Sequence, residues 1–217
     1  MNIAMVISAY NEEKNIQAVV QNTKEYIKDI IVVDDGSNDN TAKKAREAGA
    51  IVLQHLVNLG KGSSAKTGCD YVYSCQYDAM ILMDGDGQHD PREIPNFIVS
   101  LKSADLILGS RKFDQNMPFV LKTGNQLINW VTKVLYGIKV KDTQSGYRAF
   151  TRKAYEKIRW KSGDYSMESE MIANAGKEKI NYLEIPIKTI YNDKHKGTTI
   201  IDGIKIVFNM LIWRIKI

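Results

Sequence analysis

The sequence predicts an α/β fold with a mostly parallel central sheet flanked by helices, and three observations carry that expectation. Short apolar runs alternate with helical patterns through the first half of the chain. Polar clusters stand where those runs end, and open parallel sheets bind ligands at the carboxyl ends of their strands. The 217 residues, 44% of them hydrophobic, suffice for one domain with a large core but are few for two independent enzymatic domains.

Met1-Asn2 leads directly into Ile3-Ala4-Met5-Val6-Ile7, so a first strand is expected at 2 to 8, followed by a helical pattern over 12 to 27. Ile31-Val32-Val33 marks a strand at 29 to 34, and the helix at 39 to 48 stops at Gly49. Strands at 50 to 54, 78 to 84 and 104 to 109 alternate with helices at 62 to 75 and 91 to 102. Asp90 and Pro91 open the last of these as N-cap and first helical residue. The second half changes character. A long helix is expected from 119 to 136, then a polar turn Asp142-Thr143-Gln144-Ser145-Gly146, helices at 151 to 158 and 167 to 177, and a strand at 180 to 189. The domain is expected to run from 1 to 198. Residues 199 to 217 read as an amphipathic helix, with Ile200, Ile204, Val207, Leu211 and Ile215 on one stripe, Lys205, Arg214 and Lys216 outside it, and Trp213 near its end. Such a stripe suits a membrane surface and equally a core contact.

A net charge of +5 fits an anionic partner, which could be a nucleotide, a lipid headgroup or a nucleic acid. The charges are dispersed and match no nucleic-acid motif, so no nucleic-acid partner is expected. Cys69 and Cys75 would not share a helix face and belong to no metal-binding pattern, which argues against a disulfide or zinc and for a reducing cytoplasm. Neither a secretory leader nor an apolar run long enough to span a bilayer is read in the sequence.

The run Asp84-Gly85-Asp86-Gly87-Gln88-His89-Asp90 ends an apolar strand with oxygen-bearing side chains at alternate positions. Asp84, Asp86 and Gln88 could thus face one hard cation, Mg2+ or Mn2+, with positions left open for phosphate oxygens. Asp34-Asp35-Gly36-Ser37 ends another strand. Asp35 is read as a ligand for a base or ribose, whereas Ser37, Asn38 and Asp39 read better as caps of the next helix. In Ser8-Ala9-Tyr10-Asn11-Glu12, Tyr10 could stack on a base and Glu12 bind its polar edge; equally, Asn11 could cap a helix and Tyr10 be core. Lys61 stands between Gly60 and Gly62 before a helix, as an anion site or an ordinary turn; the Walker A pattern is absent.

Together, Ala9-Tyr10-Asn11-Glu12, Asp34-Asp35-Gly36-Ser37, Asn58-Leu59-Gly60-Lys61-Gly62, Asp84-Gly85-Asp86-Gly87-Gln88-His89, Gly109-Ser110-Arg111 and Ser145-Gly146-Tyr147-Arg148 resemble the family 2 glycosyltransferases. The nearest resemblance is to polyprenyl- or dolichyl-phosphate sugar synthases of the dolichol-phosphate mannose synthase type. It implies a GT-A fold, a nucleotide-sugar donor, a divalent metal and inverting transfer to a lipid phosphate at the cytoplasmic face of a membrane. Carried over by motif, Tyr10, Glu12 and Asp35 would hold the nucleoside and Asp84 the ribose or sugar. Asp86 and Gln88 would bind the metal, with Asp84 as a further candidate. Arg111 and Arg148 would hold phosphates, with Lys61 and Lys194 as further anion contacts. Ser8 stands where many relatives have proline.

Arginine offers a planar, always charged fork for phosphate oxygens, which suits Arg111 and Arg148; surface salt bridges are the alternative. Lys194-His195-Lys196-Gly197 reads as a loop able to close over phosphates, or as a solvated charge run. A hydroxyl acceptor would need a base, for which Glu168 and Glu170 are candidates, although an acidic pair at a helix N-terminus has its own dipole rationale. A nucleotidyltransferase should carry a glycine-rich, arginine-containing loop after its first strand, where this chain has Ser8-Ala9-Tyr10-Asn11-Glu12. A noncatalytic nucleotide-sugar sensor would keep the donor motifs and lose the arginines.

Overall fold

The computed structural model describes residues 1–111, 119–190 and 200–215. Its centre is a seven-stranded sheet of order β3-β2-β1-β4-β6-β5-β7. The strands are β1 (Ile3–Ala9), β2 (Ile30–Asp34), β3 (Ile51–Gln54), β4 (Ala79–Asp84), β5 (Leu106–Arg111), β6 (Arg148–Thr151) and β7 (Tyr182–Ile187). β6 runs antiparallel to both β4 and β5, and the other pairings are parallel.

Both faces of the sheet are covered, which is why its strands are apolar at successive positions rather than at alternate ones. On one face Val6, Val33, Leu82, Leu108 and Phe150 meet α3 (Lys61–Ser74), α6 (Arg152–Ile158) and α7 (Met167–Lys177). On the other, Ile7, Val32, Met83, Ile107 and Tyr147 meet α1 (Ile16–Lys24), α2 (Thr41–Glu47) and α4 (Ile94–Ser100). Each fully buried aliphatic side chain contributes about 2 kcal/mol.

The first-half elements fall where the sequence places them, with α1, α2 and α4 shorter than expected. α1 begins only at Ile16, after Asn11 adopts a left-handed φ of 54°. The segment expected at 91 to 102 is a 3-10 turn, Pro91–Glu93, capped by the Asp90 carboxylate, and then α4. β6 was not anticipated as a strand. It has four residues, starts with a charge and runs into the Thr151 cap of α6, so it lacks a period of its own. β7 carries Pro186, as an edge strand can.

α5 (Phe119–Tyr136) and α8 (Ile200–Ile215) pack against each other and against α7. Ile128, Val131, Ala173, Ile206 and Met210 form their shared core. Most of the stripe expected on the last helix faces outward instead. Ile204, Leu211 and Ile215 are exposed, and Val207 is half-buried beside Ile206 and Met210. Phe208 joins the exposed stripe, and the neighbouring α5 exposes Leu127, Trp130 and Val134. Among the described residues no helix is long and apolar enough to cross a membrane. Cys69 and Cys75 are both free.

Candidate active site

The carboxyl ends of β1, β2, β4 and β5 open onto a cleft of about 380 Å3. Its walls include Ser8, Tyr10, Glu12, Asp35, Lys61, Asp84, Asp86, Gln88 and Arg111, so most of the residues singled out from the sequence converge here. Lys194 lies outside the described residues.

Asp84 closes β4 two residues after Leu82, so its side chain shares the face that Leu82 turns toward α3. There Lys61, the first residue of α3, places its Nζ 2.9 Å from Asp84 and 2.9 Å from Glu168. Burial alone would lower the Lys61 pKa, but the two carboxylates outweigh it and hold the ammonium well above its usual range. Burial would raise the Asp84 pKa; the charge and hydrogen bond of Lys61 outweigh it and keep Asp84 ionised below its usual range. The turn before β6 presses on this pair. A Cβ at Gly146 would lie 2.7 Å from Asp84 Oδ2 and 2.8 Å from Lys61 Nζ, so a larger residue there would push this ion pair aside.

Among the described residues no cation pairs with Asp86. Burial and the nearby charge of Asp84 push its pKa up to about 6, although the Gln88 N–H donates to its Oδ1 at 2.9 Å. A carboxylate under that pressure, beside a second carboxylate and an amide, forms an oxygen donor set suited to a hard divalent cation. Among the described residues no cluster of three His, Cys, Asp or Glu side chains exists, so such an ion would keep open positions. His89 stacks on Tyr147 at 4.9 Å and its Nδ1 accepts from the Asp84 N–H at 3.3 Å. Burial lowers its pKa to about 4, which leaves the ring neutral at neutral pH.

On the other side of the cleft Tyr10 is 41% exposed, which removes the core reading of that residue. The backbone of Glu12 donates to Thr41 Oγ1 at 2.8 Å and its carboxylate accepts from Asn15 at 2.8 Å. Asn11 ties this loop to the next by accepting from the Asn38 N–H at 3.0 Å and does not cap α1. Asp39 receives the Thr41 N–H at 2.9 Å, but the N-cap of α2 is Asn40, which makes no side-chain cap bond, and Ser37 Oγ accepts from the Asn11 N–H at 2.8 Å instead. The Asp35 carboxylate accepts from His55 Nδ1 at 2.7 Å, Leu59 N–H at 3.0 Å and Gly60 N–H at 2.8 Å.

The two arginines part company. Arg111 lies at the cleft and grips the fully buried Asp142 through Nε at 2.6 Å and Nη2 at 3.0 Å. Burial would raise the Asp142 pKa, yet the hydrogen bonds and charge of Arg111 hold it below the usual range. Arg148 is a correction. It pairs in register with Leu82 and Leu108, so its side chain enters the core rather than the cleft, and it is 1% exposed. Its guanidinium donates to the carbonyls of Ser145 at 2.9 Å, Thr143 at 2.7 Å and Glu168 at 2.8 Å. It clamps the 143–145 turn to α7 and leaves no fork for a phosphate.

Glu168 and Glu170 are both committed to the scaffold. Glu168 is buried against Lys61, and Glu170 accepts from the Lys161 and Ser162 N–H groups at 3.0 and 2.8 Å and from Ser162 Oγ at 2.6 Å. Asn58 and Gln144, which the sequence showed only as members of a motif and a turn, and Asp164, Tyr165 and Thr189, to which it gave no role, also line the cleft. One signal was readable. Ser162-Gly163-Asp164 is a turn before a helix, like the loops that deliver the other motifs, and its Gly163 carbonyl accepts from the Gly62 N–H at 2.9 Å.

The seven-stranded sheet and its flanking helices have the GT-A fold. Glucosyl-3-phosphoglycerate synthase of Mycobacterium tuberculosis, crystallised with Mn2+, UDP and phosphoglyceric acid, has this fold. It superposes with a TM-score of 0.76 at 17% identity, covering 98% of this chain and 78% of that one. The chain belongs to the family described as glycosyl transferase family 2, whose sequence model matches residues 4–159, and it is a glycosyltransferase. An uncharacterized protein of Methanocaldococcus jannaschii is 39% identical, over 98% of this chain and 92% of its own. The UDP-N-acetylglucosamine–dolichyl-phosphate N-acetylglucosaminyltransferase of Methanococcus voltae is 37% identical, over 97% of this chain and 95% of its own. An undecaprenyl-phosphate mannosyltransferase of Micrococcus luteus is 25% identical, over 86% of this chain and 83% of its own.

Proposed function

We propose that this enzyme transfers a sugar, with inversion, from a nucleoside-diphosphate sugar to a polyprenyl or dolichyl phosphate at the cytoplasmic face of a membrane. The observation that carries the reading is the sequestration of both candidate bases. Glu168 is held by Lys61 and Glu170 by the 161–162 backbone, so neither is placed to activate a hydroxyl acceptor. A phosphate acceptor needs no such help, since its second pKa is about 6 and it is largely ionised at neutral pH. Its oxygen attacks the anomeric carbon, the bond from that carbon to the donor phosphate oxygen breaks, and the nucleoside diphosphate leaves.

Catalysis then reduces to alignment and charge stabilisation. Asp86 and Gln88, with Asp84 beside them, would hold Mg2+ or Mn2+, which when bound neutralises the departing diphosphate. Tyr10, Glu12, Asp35 and the Ser8 loop would hold the nucleoside. Lys61 lies within reach of a diphosphate seated against Asp84, and Arg111, fixed by Asp142, is the phosphate contact at the acceptor side. The Methanococcus voltae relative favours a UDP-linked N-acetylhexosamine as the donor. The exposed apolar stripes of α5 and α8, with Lys133 and Arg214 exposed among them, support docking on an anionic membrane surface.

The test incubates the protein with UDP- and GDP-sugars, Mg2+ or Mn2+ and polyprenyl phosphates, and reads lipid products by mass spectrometry. A glycosylated lipid monophosphate is expected. Transfer only to saccharide or peptide hydroxyls would overturn the acceptor assignment.

A further inference from the structure

Behind Asp35 stands a side-chain relay that no motif assigns. His55 follows β3, and its backbone N–H donates to the Asp34 carbonyl at 2.9 Å, which fixes where the ring sits. Its Nδ1 lies 2.7 Å from Asp35 Oδ1, and its Nε2 lies 3.0 Å from Thr67 Oγ1 on α3. Asp35 is buried and His55 half-buried, with side chains 4% and 11% exposed.

A carboxylate only accepts, so Nδ1 carries a proton and donates to Asp35 Oδ1, while Nε2 and the Thr67 hydroxyl share the second bond. Asp35 Oδ1 thus receives His55 and the Leu59 N–H, and Oδ2 receives the Gly60 N–H. A carboxylate offers about four acceptor positions. Three are filled by the protein, and the group lines the cleft with one left for a ligand.

We propose that His55, braced by Thr67, is a positioning residue of the donor site. It locks the Asp35 carboxylate so that its remaining lone pair meets one N–H of the donor base. The arrangement selects bases with a ring N–H on their pairing edge, as uracil and guanine have, over cytosine, whose ring nitrogen there is an acceptor and is repelled by a fixed carboxylate. The inference rests on the reading of Asp35 as a base ligand.

Equilibrium binding of UDP, GDP, CDP and base-free ribose 5-diphosphate, with Mg2+, tests it in the wild type and in His55→Leu, His55→Asn, Thr67→Val and Asp35→Asn. His55→Leu should weaken UDP or GDP about tenfold, the scale of one charge-assisted hydrogen bond, and leave ribose 5-diphosphate unchanged. His55→Asn, whose amide can replace Nδ1–H, should recover most of that loss, and Thr67→Val should cost about threefold, on the scale of a neutral hydrogen bond. Equal weakening of all four ligands by His55→Leu would reduce His55 to a loop support and overturn the proposal. If His55→Leu does not fold, His55→Asn and Thr67→Val carry the same comparison, and the 15N shifts of the wild-type ring show which nitrogens carry protons: a ring with no proton on Nδ1 contradicts the relay. Asp35→Asn separates the two layers. Loss of base discrimination there with none lost at His55 rejects the relay alone, whereas unchanged discrimination in Asp35→Asn rejects the reading of Asp35 beneath it.

Discussion

The two halves of the molecule treat the same kinds of residue in opposite ways. Between β1 and β4 the strands are parallel, their carboxyl ends meet at one edge, and the polar residues that end them, Tyr10, Asp35 and Asp84 to Gln88, arrive at the cleft. In the second half β6 is antiparallel, so it begins at that edge, and its first residue, Arg148, belongs to the core. Arg111, on parallel β5, reaches the cleft. Register separates the two: Arg148 stands level with Leu82 and Leu108 in the sheet, whereas Arg111 ends β5 beyond Leu108.

The largest effect expected from this contrast lies on the nucleotide side. Asp86→Ala should lower turnover about a thousandfold, on the scale of losing a preorganised electrostatic group, while the protein stays folded. Initial rates across a Mg2+ or Mn2+ titration, with circular dichroism as a folding control, check this; wild-type rates would remove Asp86 from the metal site. Arg148 should behave oppositely. Arg148→Met strands three carbonyls and should cost about 3 kcal/mol of stability, read by urea unfolding. At temperatures where the variant is folded, its donor and acceptor KM values should shift together. A selective rise in acceptor KM would restore Arg148 as a phosphate ligand.

A third prediction concerns protons. The folded protein holds the Asp86 proton up to about pH 6, whereas an unperturbed carboxyl loses it near 3.8. This group therefore contributes stability at low pH that is lost as pH rises through about 4 to about 6, by at most about 3 kcal/mol. Asp84 and Asp142, whose pKa values are depressed, act in the reverse sense, so the difference between wild type and Asp86→Asn isolates the effect. Without metal, the advantage of Asp86→Asn should grow with pH over that window and vanish when Mg2+ is added. A pH-independent difference would contradict the site electrostatics.

The smallest effect is expected at the apolar face. Ile204→Ser with Phe208→Ser should reduce partition to anionic vesicles about tenfold, as removal of a few buried apolar groups would. Activity on a short, water-soluble polyprenyl phosphate should not change. Unaltered vesicle binding would assign the stripe to another partner.

These contrasts also mark what the sequence made legible. The alternating carboxylates after Met83 and the glycine-bounded Lys61 could be read because strand period and turn residues fix their direction locally. Arg148 could not, because its direction depends on the partners β6 takes, Leu82 and Leu108, which lie far away in the chain. The last helix shows the same limit. Its apolar residues at 204, 211 and 215 form a true stripe, but the core contact falls on Ile206 and Met210, and periodicity alone cannot say which apolar side a neighbour covers. Glu168 was considered as a base because its environment, Lys61 across the cleft floor, is likewise a long-range fact.

In the proposed transfer a sugar, and not a sugar phosphate, moves onto a lipid phosphate. A donor carrying 32P in the phosphate next to the sugar, incubated with the enzyme, Mg2+ and polyprenyl phosphate, tests it in one chromatogram. The account predicts that all label leaves with the nucleoside diphosphate and that the glycosylated lipid is unlabelled. Label in the lipid product would contradict it.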